Sequence, residues 1–213
     1  MAAVERTSTG GAGAGDATAV RRGRGRRPAA EVRAEVLAAA GGILLRDGLA
    51  AVTFARVADE AGCSKMTLYK WWPSPGALAA EAYFARSMPT LEFPDTGDIR
   101  ADLTTQLTAF VRLLVEDGAA TPVSELIGAA QTDPDVARAW AEKYGRPRRA
   151  LACARLREAQ QKGQLRADAD LEIIVDQLWG ACYHRLLVLR VPFGVDIVPR
   201  LVEQALFGAA ART

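Results

Sequence analysis

The chain has 213 residues, 50% of them hydrophobic and 24% charged; its net charge of +2 hides a basic leading part, with 12 Lys+Arg against 8 Asp+Glu through residue 88 and 15 against 17 beyond it. That is ample material for a packed interior, and neither a run of ~18 apolar residues nor a signal-peptide core is present, so a soluble, cytoplasmic protein is expected. The single histidine, His184, and the widely spaced Cys63, Cys153 and Cys182 give no ligand cage, disulfide framework or histidine-based catalytic centre, so no metal, cofactor or catalytic residue is expected.

Residues 1–20 are rich in Gly, Ala, Ser and Thr and hold too few large apolar groups to offset the entropy of ordering, which predicts a disordered tail. The run RRGRGRR follows, in which Arg21, Arg22, Arg24, Arg26 and Arg27 alternate with glycine. Such a stretch is either a solubilising tail or a flexible cationic arm, and directly ahead of a DNA-binding unit it is placed to reach phosphates or a minor groove. From Pro28, apolar residues recur at Val32, Val36, Ala40, Ile43 and Leu44, the period of an amphipathic helix, and Asp47-Gly48 supplies its stop. Gly41-Gly42 weakens that helix locally and permits close approach by another.

The next segment, TFARVADEAGCSKMTLYKWW, carries the chemistry. Thr53 is a good N-cap for one helix and Ser64 for the next, while Gly62 stands where the turn needs a positive φ. Two helices crossing this closely need a small residue in the first, glycine in the turn and an apolar residue returned by the second, and Ala58, Gly62 and Leu68 meet those needs, with Val57 and Trp71 completing the contact. This is a helix-turn-helix. A scaffold of three helices that never touches DNA shares the packing, but the face left outside holds Ser64, Lys65, Met66, Thr67, Tyr69 and Lys70, with no acidic residue to repel phosphate.

The run AGCSKMTLYKWWPSPGAL resembles the recognition segment of the TetR family of transcriptional repressors, usually AGVS-x-GTLY-x-YF-x-(S/N)-K-E-x-L, through Ala61, Gly62, Ser64, Thr67, Leu68, Tyr69, Ser74 and Leu78. The resemblance is specific over about residues 30–85. It implies that Lys65 and Thr67 contact base edges and that Thr53, Tyr69 and Lys70 contact phosphates. Three departures matter: Met66 stands for a small residue and offers an apolar contact such as a thymine methyl, Trp72 stands for phenylalanine, and Pro75-Gly76 stands for the Lys-Glu that opens helix four. Without that lysine, Ser74 becomes the N-cap and Pro75 the first helical residue, and affinity leans on Arg24, Arg26 and Arg27. Trp72 is expected in the interior.

Prolines and turn formers in PTLEFPDTGD mark a linker, so the expected division is a tail over 1–27, a DNA-binding domain with connecting helix four over 28–88 and a regulatory domain over 89–213. The remainder reads as five helices: about 99–117, 122–130, 134–162 with a kink at Pro147, 170–190 and 195–210. No segment alternates with period two, so the fold class is all-α, with about nine helices. The course Asp133-Pro134, Arg148-Arg149, Gly163, Leu165, Arg166, Asp168, Asp170 is similar to a regulatory-domain type of the same family.

For a ligand cavity the candidates are Phe110, Gln131, Trp140, Tyr144, Trp179, Tyr183 and His184, together with Leu114 and Leu126; all of them also suit an ordinary core. The resemblance implies a homodimer formed by the last two helices, a palindromic operator in double-stranded DNA and a small-molecule effector, apolar or aromatic, that releases the repressor. Two other readings stay open, a thiol-based redox sensor of the same fold and a non-specific architectural DNA-binding protein.

Overall fold

The computed structural model describes residues 27–87 and 92–208. Within them every regular element is helical: α1 (Ala29–Asp47), α2 (Phe54–Glu60), α3 (Lys65–Trp71), α4 (Pro75–Ser87), α5 (Ile99–Val115), α6 (Ala120–Ala130), α7 (Pro134–Trp140), α8 (Arg146–Gln161), α9 (Leu171–Tyr183) and α10 (Val198–Phe207). A π-helical segment, Ala141–Gly145, joins α7 to α8 without a break, so the described residues form nine rods, as expected. Pro147 explains the irregularity, because a proline has no N–H to give the turn before it. A second π segment, His184–Leu189, prolongs α9 to Arg190, which closes it in the left-handed region at φ 53°.

Local chemistry sets the starts and stops. Asp98, Asp133 and Asp170 each accept hydrogen bonds from backbone N–H groups two and three residues on, opening α5, α7 and α9, and such caps are worth ~1 kcal/mol each. Gly48, at φ 81°, stops α1 and returns its N–H to the Leu44 carbonyl.

Helices α1 to α3 pack around Val36, Ala40, Ile43, Leu44, Val57 and Leu68, all buried. Helix α4 continues that core with Leu78, Ala79 and Ala82, lying along α1 near Gly41, where a Cβ would come 3.6 Å from the Ala82 carbonyl oxygen. The other side of α4 meets α7 and the π segment, and Tyr83 joins that contact. A further tie runs from α6: the Glu125 carboxylate accepts the Leu49 N–H at 2.6 Å, just past the end of α1. Helices α5, α8, α9 and α10 enclose Leu103, Leu107, Phe110, Leu156, Leu178 and Val202. Buried between α5 and α8, Asp102 receives Arg155 at 2.5 Å and the Thr96 hydroxyl at 2.6 Å. No helix among the described residues is long and apolar enough to cross a membrane.

Candidate DNA-recognition unit and effector cavity

The recognition unit is built by short-range bonds. Thr53 Oγ1 accepts the Arg56 N–H at 3.2 Å and opens α2. Gly62 turns the chain at φ 59°, with the Cys63 N–H on the Ala58 carbonyl at 3.0 Å, and Ser64 Oγ accepts the Thr67 N–H at 3.2 Å to open α3. Leu68 and Val57 are fully buried between the helices, and that burial sets which way α3 faces. Outward stand Lys65, Met66, Tyr69 and Lys70, with Met66 75% and Tyr69 61% exposed. Both side chains stand free of the core on the same outward face of α3 as the two lysines. The Tyr69 ring is braced edge-on against Phe54 at 4.8 Å, which leaves its outer side to solvent.

Two candidates are more engaged than their positions on the chain imply. Thr67 is half-buried, and its hydroxyl meets Ser64 Oγ at 2.9 Å. Arg27 bonds the Gly62 carbonyl at 2.7 Å and Glu35 at 2.5 Å, so it fastens the chain entering α1 to the turn of the motif. Arg24 and Arg26, like the tail and the rest of the arm, lie outside the described residues.

Trp72 is buried at 3% exposure, as expected. Its indole N–H donates to Glu81 at 2.9 Å, and Arg33 bonds the same carboxylate at 2.5 Å while lying 4.6 Å from the Trp72 ring. This Arg33–Trp72–Glu81 lock ties α1, the end of α3 and α4 together. Its signal in the sequence is one acidic residue, Glu81, in a helix otherwise rich in alanine.

The second site is a cavity of about 450 Å³ walled by α5, the π segment after α7, α8 and α9. Phe110, Trp140, Tyr144, Trp179 and Tyr183 all line it, with Ala152 and Val175 between them. The rings hold one another: Trp140 and Tyr144 are 4.7 Å apart and tilted, and Phe110 meets Tyr183 edge-on at 5.5 Å. Behind this wall Tyr83 of α4 lies parallel to Trp140 at 5.9 Å. Burial pushes the hydroxyls of Tyr83, Tyr144 and Tyr183 up from the usual tyrosine range, so all three stay protonated near neutrality. The Tyr83 hydroxyl faces Tyr144, which acts on it through its field and through a hydrogen bond outside ideal geometry. Charge enters at the start of α8, where Arg146, Arg148 and Arg149 also line the cavity. Arg149 is committed to Asp176 and Glu172.

Not every candidate reaches this space. Gln131 is exposed at the end of α6 and bonds the Ile127 carbonyl, His184 is exposed, and Leu114 and Leu126 are core residues away from the cavity. A larger depression of about 1180 Å³ runs past the start of α5, the segment before α9 and the faces of α9 and α10; polar and apolar residues share its walls, with one ring, Phe207. The aromatic space has the profile of a small-molecule pocket, mostly apolar with few polar anchors.

A family described as the tetracyclin repressor-like, C-terminal domain matches residues 93–205. The uncharacterized HTH-type transcriptional regulator YdeS of Bacillus subtilis is 35% identical over 83% of this chain and 88% of its own. The chain belongs to the TetR family of transcriptional regulators. Among solved structures, the TetR family transcription regulator SCO0332 shares 53% identity at a TM-score of 0.78, covering 85% of this chain and all of that one. The fold extends to FadR from Bacillus subtilis in complex with stearoyl-CoA, at 14% identity and a TM-score of 0.60 over 83% of this chain and 99% of that one.

Against the usual TetR pattern, the Pro75-Gly76 departure has a physical cause. Ser74 Oγ accepts the Ala77 N–H at 3.1 Å, so α4 opens with serine as cap and proline as first residue. At Gly76 a Cβ would stand 2.5 Å from Val136 Cγ2 of α7, a separation that real Cβ atoms do not tolerate. The family's glutamate cannot occupy this position while α7 sits where it does.

The thiols bear on the redox alternative. Burial raises the Cys63 and Cys153 thiols above their ordinary value and pushes Cys182 up to about 12. A reactive sensor thiol needs the opposite shift.

Proposed function

We propose that the protein is a homodimeric repressor that holds a palindromic operator with two copies of α3 and releases it when a small apolar or aromatic molecule enters the ring-lined cavity. In this reading residues 1–27 are a tail with an Arg-rich arm, 28–88 the DNA-binding domain with connecting helix four and 89–213 the regulatory and dimerisation domain. The observation that carries it is the connection between the two sites: α7 rests through Val136 on Gly76 at the head of α4 and runs on through the π segment into the cavity wall. A ligand that shifts Trp140 or Tyr144 therefore acts on the helix that orients the recognition unit, and a change in α4 alters the spacing of two half-sites.

Pairing is supported by apolar groups left exposed on α9, its extension and α10, namely Ile173, Val188, Leu189 and Phe207. Burying such a patch against its own copy is the common route to a two-fold dimer. That FadR holds stearoyl-CoA is consistent with a ligand between helices of this fold. The raised thiols favour no redox role.

A footprint on the DNA flanking the gene tests the reading. Protection of two half-sites with centres ~34–36 Å apart, lost on adding the effector, is expected. Uniform coverage without a palindrome overturns it in favour of an architectural binder.

A further inference from the structure

Helix α3 is a short rod held unevenly. In its middle Leu68 packs on Val57 of α2, but against α1 and α4 its backbone makes little contact. Only Trp72, Pro73 and Ser74 separate it from α4. What fixes the angle at that joint is the cluster around Trp72. The ring is 3% exposed, and its N–H donates to one oxygen of Glu81 at 2.9 Å while Arg33 of α1 bonds the other at 2.5 Å. Arg33 also lies over both indoles, 4.6 Å from the Trp72 centroid and 5.9 Å from that of Trp71, and the two rings meet edge-on at 5.6 Å.

Direction, more than strength, is what this cluster adds. The Arg33 side chain is 37% exposed and that of Glu81 14%, and an ion pair so open to water contributes little stability. Apolar packing is non-directional, so a ring held by packing alone can turn or slide as the joint flexes. A hydrogen bond requires its N–H to point at the acceptor, and a carboxylate engaged at both oxygens keeps a single pose. Phenylalanine, the usual residue of the TetR pattern at this position, fills the space without an N–H. Trp72 therefore adds a directed bond from the end of α3 to α4 that the pattern lacks.

The candidate base contacts Lys65 and Thr67 stand on α3 itself, whereas the distance between two copies of α3 depends on how each is set on α4. We propose that Trp72 and Glu81 are positioning residues that make the protein exacting about the spacing of its two half-sites rather than about their sequence. This step rests on the reading of the protein as a dimer on a palindromic operator. One base pair added at the operator centre moves a half-site by ~3.4 Å and turns it by about 35° around the DNA axis. A fixed joint cannot follow that displacement, and a loose one takes up part of it.

The test selects an operator from a random double-stranded DNA library with the full chain. Fluorescence anisotropy then gives the affinity for that operator and for versions with one base pair inserted or removed at its centre. The wild type is expected to lose at least about tenfold on either altered spacing, because its two recognition helices can no longer engage together. Trp72→Phe is expected to select the same half-sites and to lose about threefold or less on altered spacing. Glu81→Gln keeps a carbonyl oxygen for the indole but gives up the charge-assisted bond from Arg33, so its penalty should fall below the wild type's as well. It carries the comparison if circular dichroism shows that Trp72→Phe does not fold. A merely structural role would lower binding to all three DNAs alike. That outcome, a spacing penalty in the variants equal to the wild type's, or no penalty in the wild type overturns the proposal and leaves the repressor reading intact. Selected DNA without paired half-sites overturns the dimeric reading itself, and the spacing role with it.

Discussion

The helix-turn-helix and the aromatic cavity are built in opposite ways. The helix-turn-helix is made by residues within twenty positions of one another: Thr53 and Ser64 cap, Gly62 turns, and Leu68 packs back on Val57. The cavity is assembled from Phe110 on α5, Trp140 and Tyr144 around a π turn, Arg148 on α8 and Trp179 on α9, groups that become neighbours only after four helices have packed. A unit made of local contacts has a form its sequence can state outright. A space made of distant ones depends on every rod that encloses it, so it can be tuned by changes far from its walls.

The largest effect should come from the core of the local unit. Leu68 is fully buried, and Leu68→Ala is expected to cost ~3–5 kcal/mol, measured by urea unfolding, with operator binding lost in parallel. Retained stability would mean that α3 is held by something other than this contact. Nearly as large is Asp102→Ala on the cavity side of the molecule, which removes the buried partner of Arg155 and leaves it only the exposed Asp95 and Glu158 and the Pro94 carbonyl, at an expected cost of ~3 kcal/mol. Asp102 also carries a pH signature. Burial alone would raise its pKa, but the bonds from Thr96 and Arg155 outweigh it and hold the carboxyl below the usual range. A depressed pKa contributes stability above the unfolded value, and that stability is lost as pH falls through the folded value. Unfolding below about pH 4 should therefore be steeper in the wild type than in Asp102→Asn.

What could be read in advance follows the same division. The motif, its caps and the inward Trp72 were legible because spacing alone constrains them, and Pro147 announced the irregular join of α7 and α8. Five of the predicted aromatic residues do lie on one cavity, since large rings on inward faces have few other places to go. Gln131 and His184 do not, because polarity in a helical pattern cannot tell an anchor in a cavity from a side chain at a helix end. Arg148 was visible only as half of a doublet; that Arg149 turns to Asp176 while Arg148 turns to the tyrosines is decided by the angle at which α8 meets α9. In the sequence Gly76 is only a departure from the family's Lys-Glu, and its meaning appears with Val136 against it.

Gly76 is where the two regions touch, and it gives a prediction of middle size. Gly76→Ala forces Val136 away and is expected to destabilise by ~1–3 kcal/mol. Val136→Ala in the same chain makes room and should recover much of that loss, a coupling that a double-mutant cycle reads directly. Purely additive losses would show that α4 and α7 are independent here, and the proposed route from cavity to α3 would fail with them.

On the recognition face the effects are smaller and concern DNA rather than stability. Lys65→Ala is expected to lower specific binding with the fold intact, and Lys70→Ala to weaken all DNA alike while reducing the salt slope by ~1. Thr67→Ala is the sharper probe of the assignment. Its hydroxyl already meets Ser64 Oγ at 2.9 Å, so a base contact by Thr67 must be made while that bond is kept or exchanged. Unchanged sequence preference in Thr67→Ala, measured by competition between operator and mutated half-sites, would return specificity to Lys65 and to the exposed Met66.

The smallest expected change is the most direct probe of the border between the regions. Tyr83→Phe deletes a buried hydroxyl that faces Tyr144 outside ideal hydrogen-bond geometry, so stability in urea unfolding should change by no more than ~1 kcal/mol. The ring stays, and with it the contacts to Trp140 and Tyr144. If the hydroxyl takes part in the proposed release, the same variant should need more effector to leave DNA. An unchanged response would confine Tyr83 to packing, and the coupling to α4 would then have to pass through Val136 and Gly76 alone.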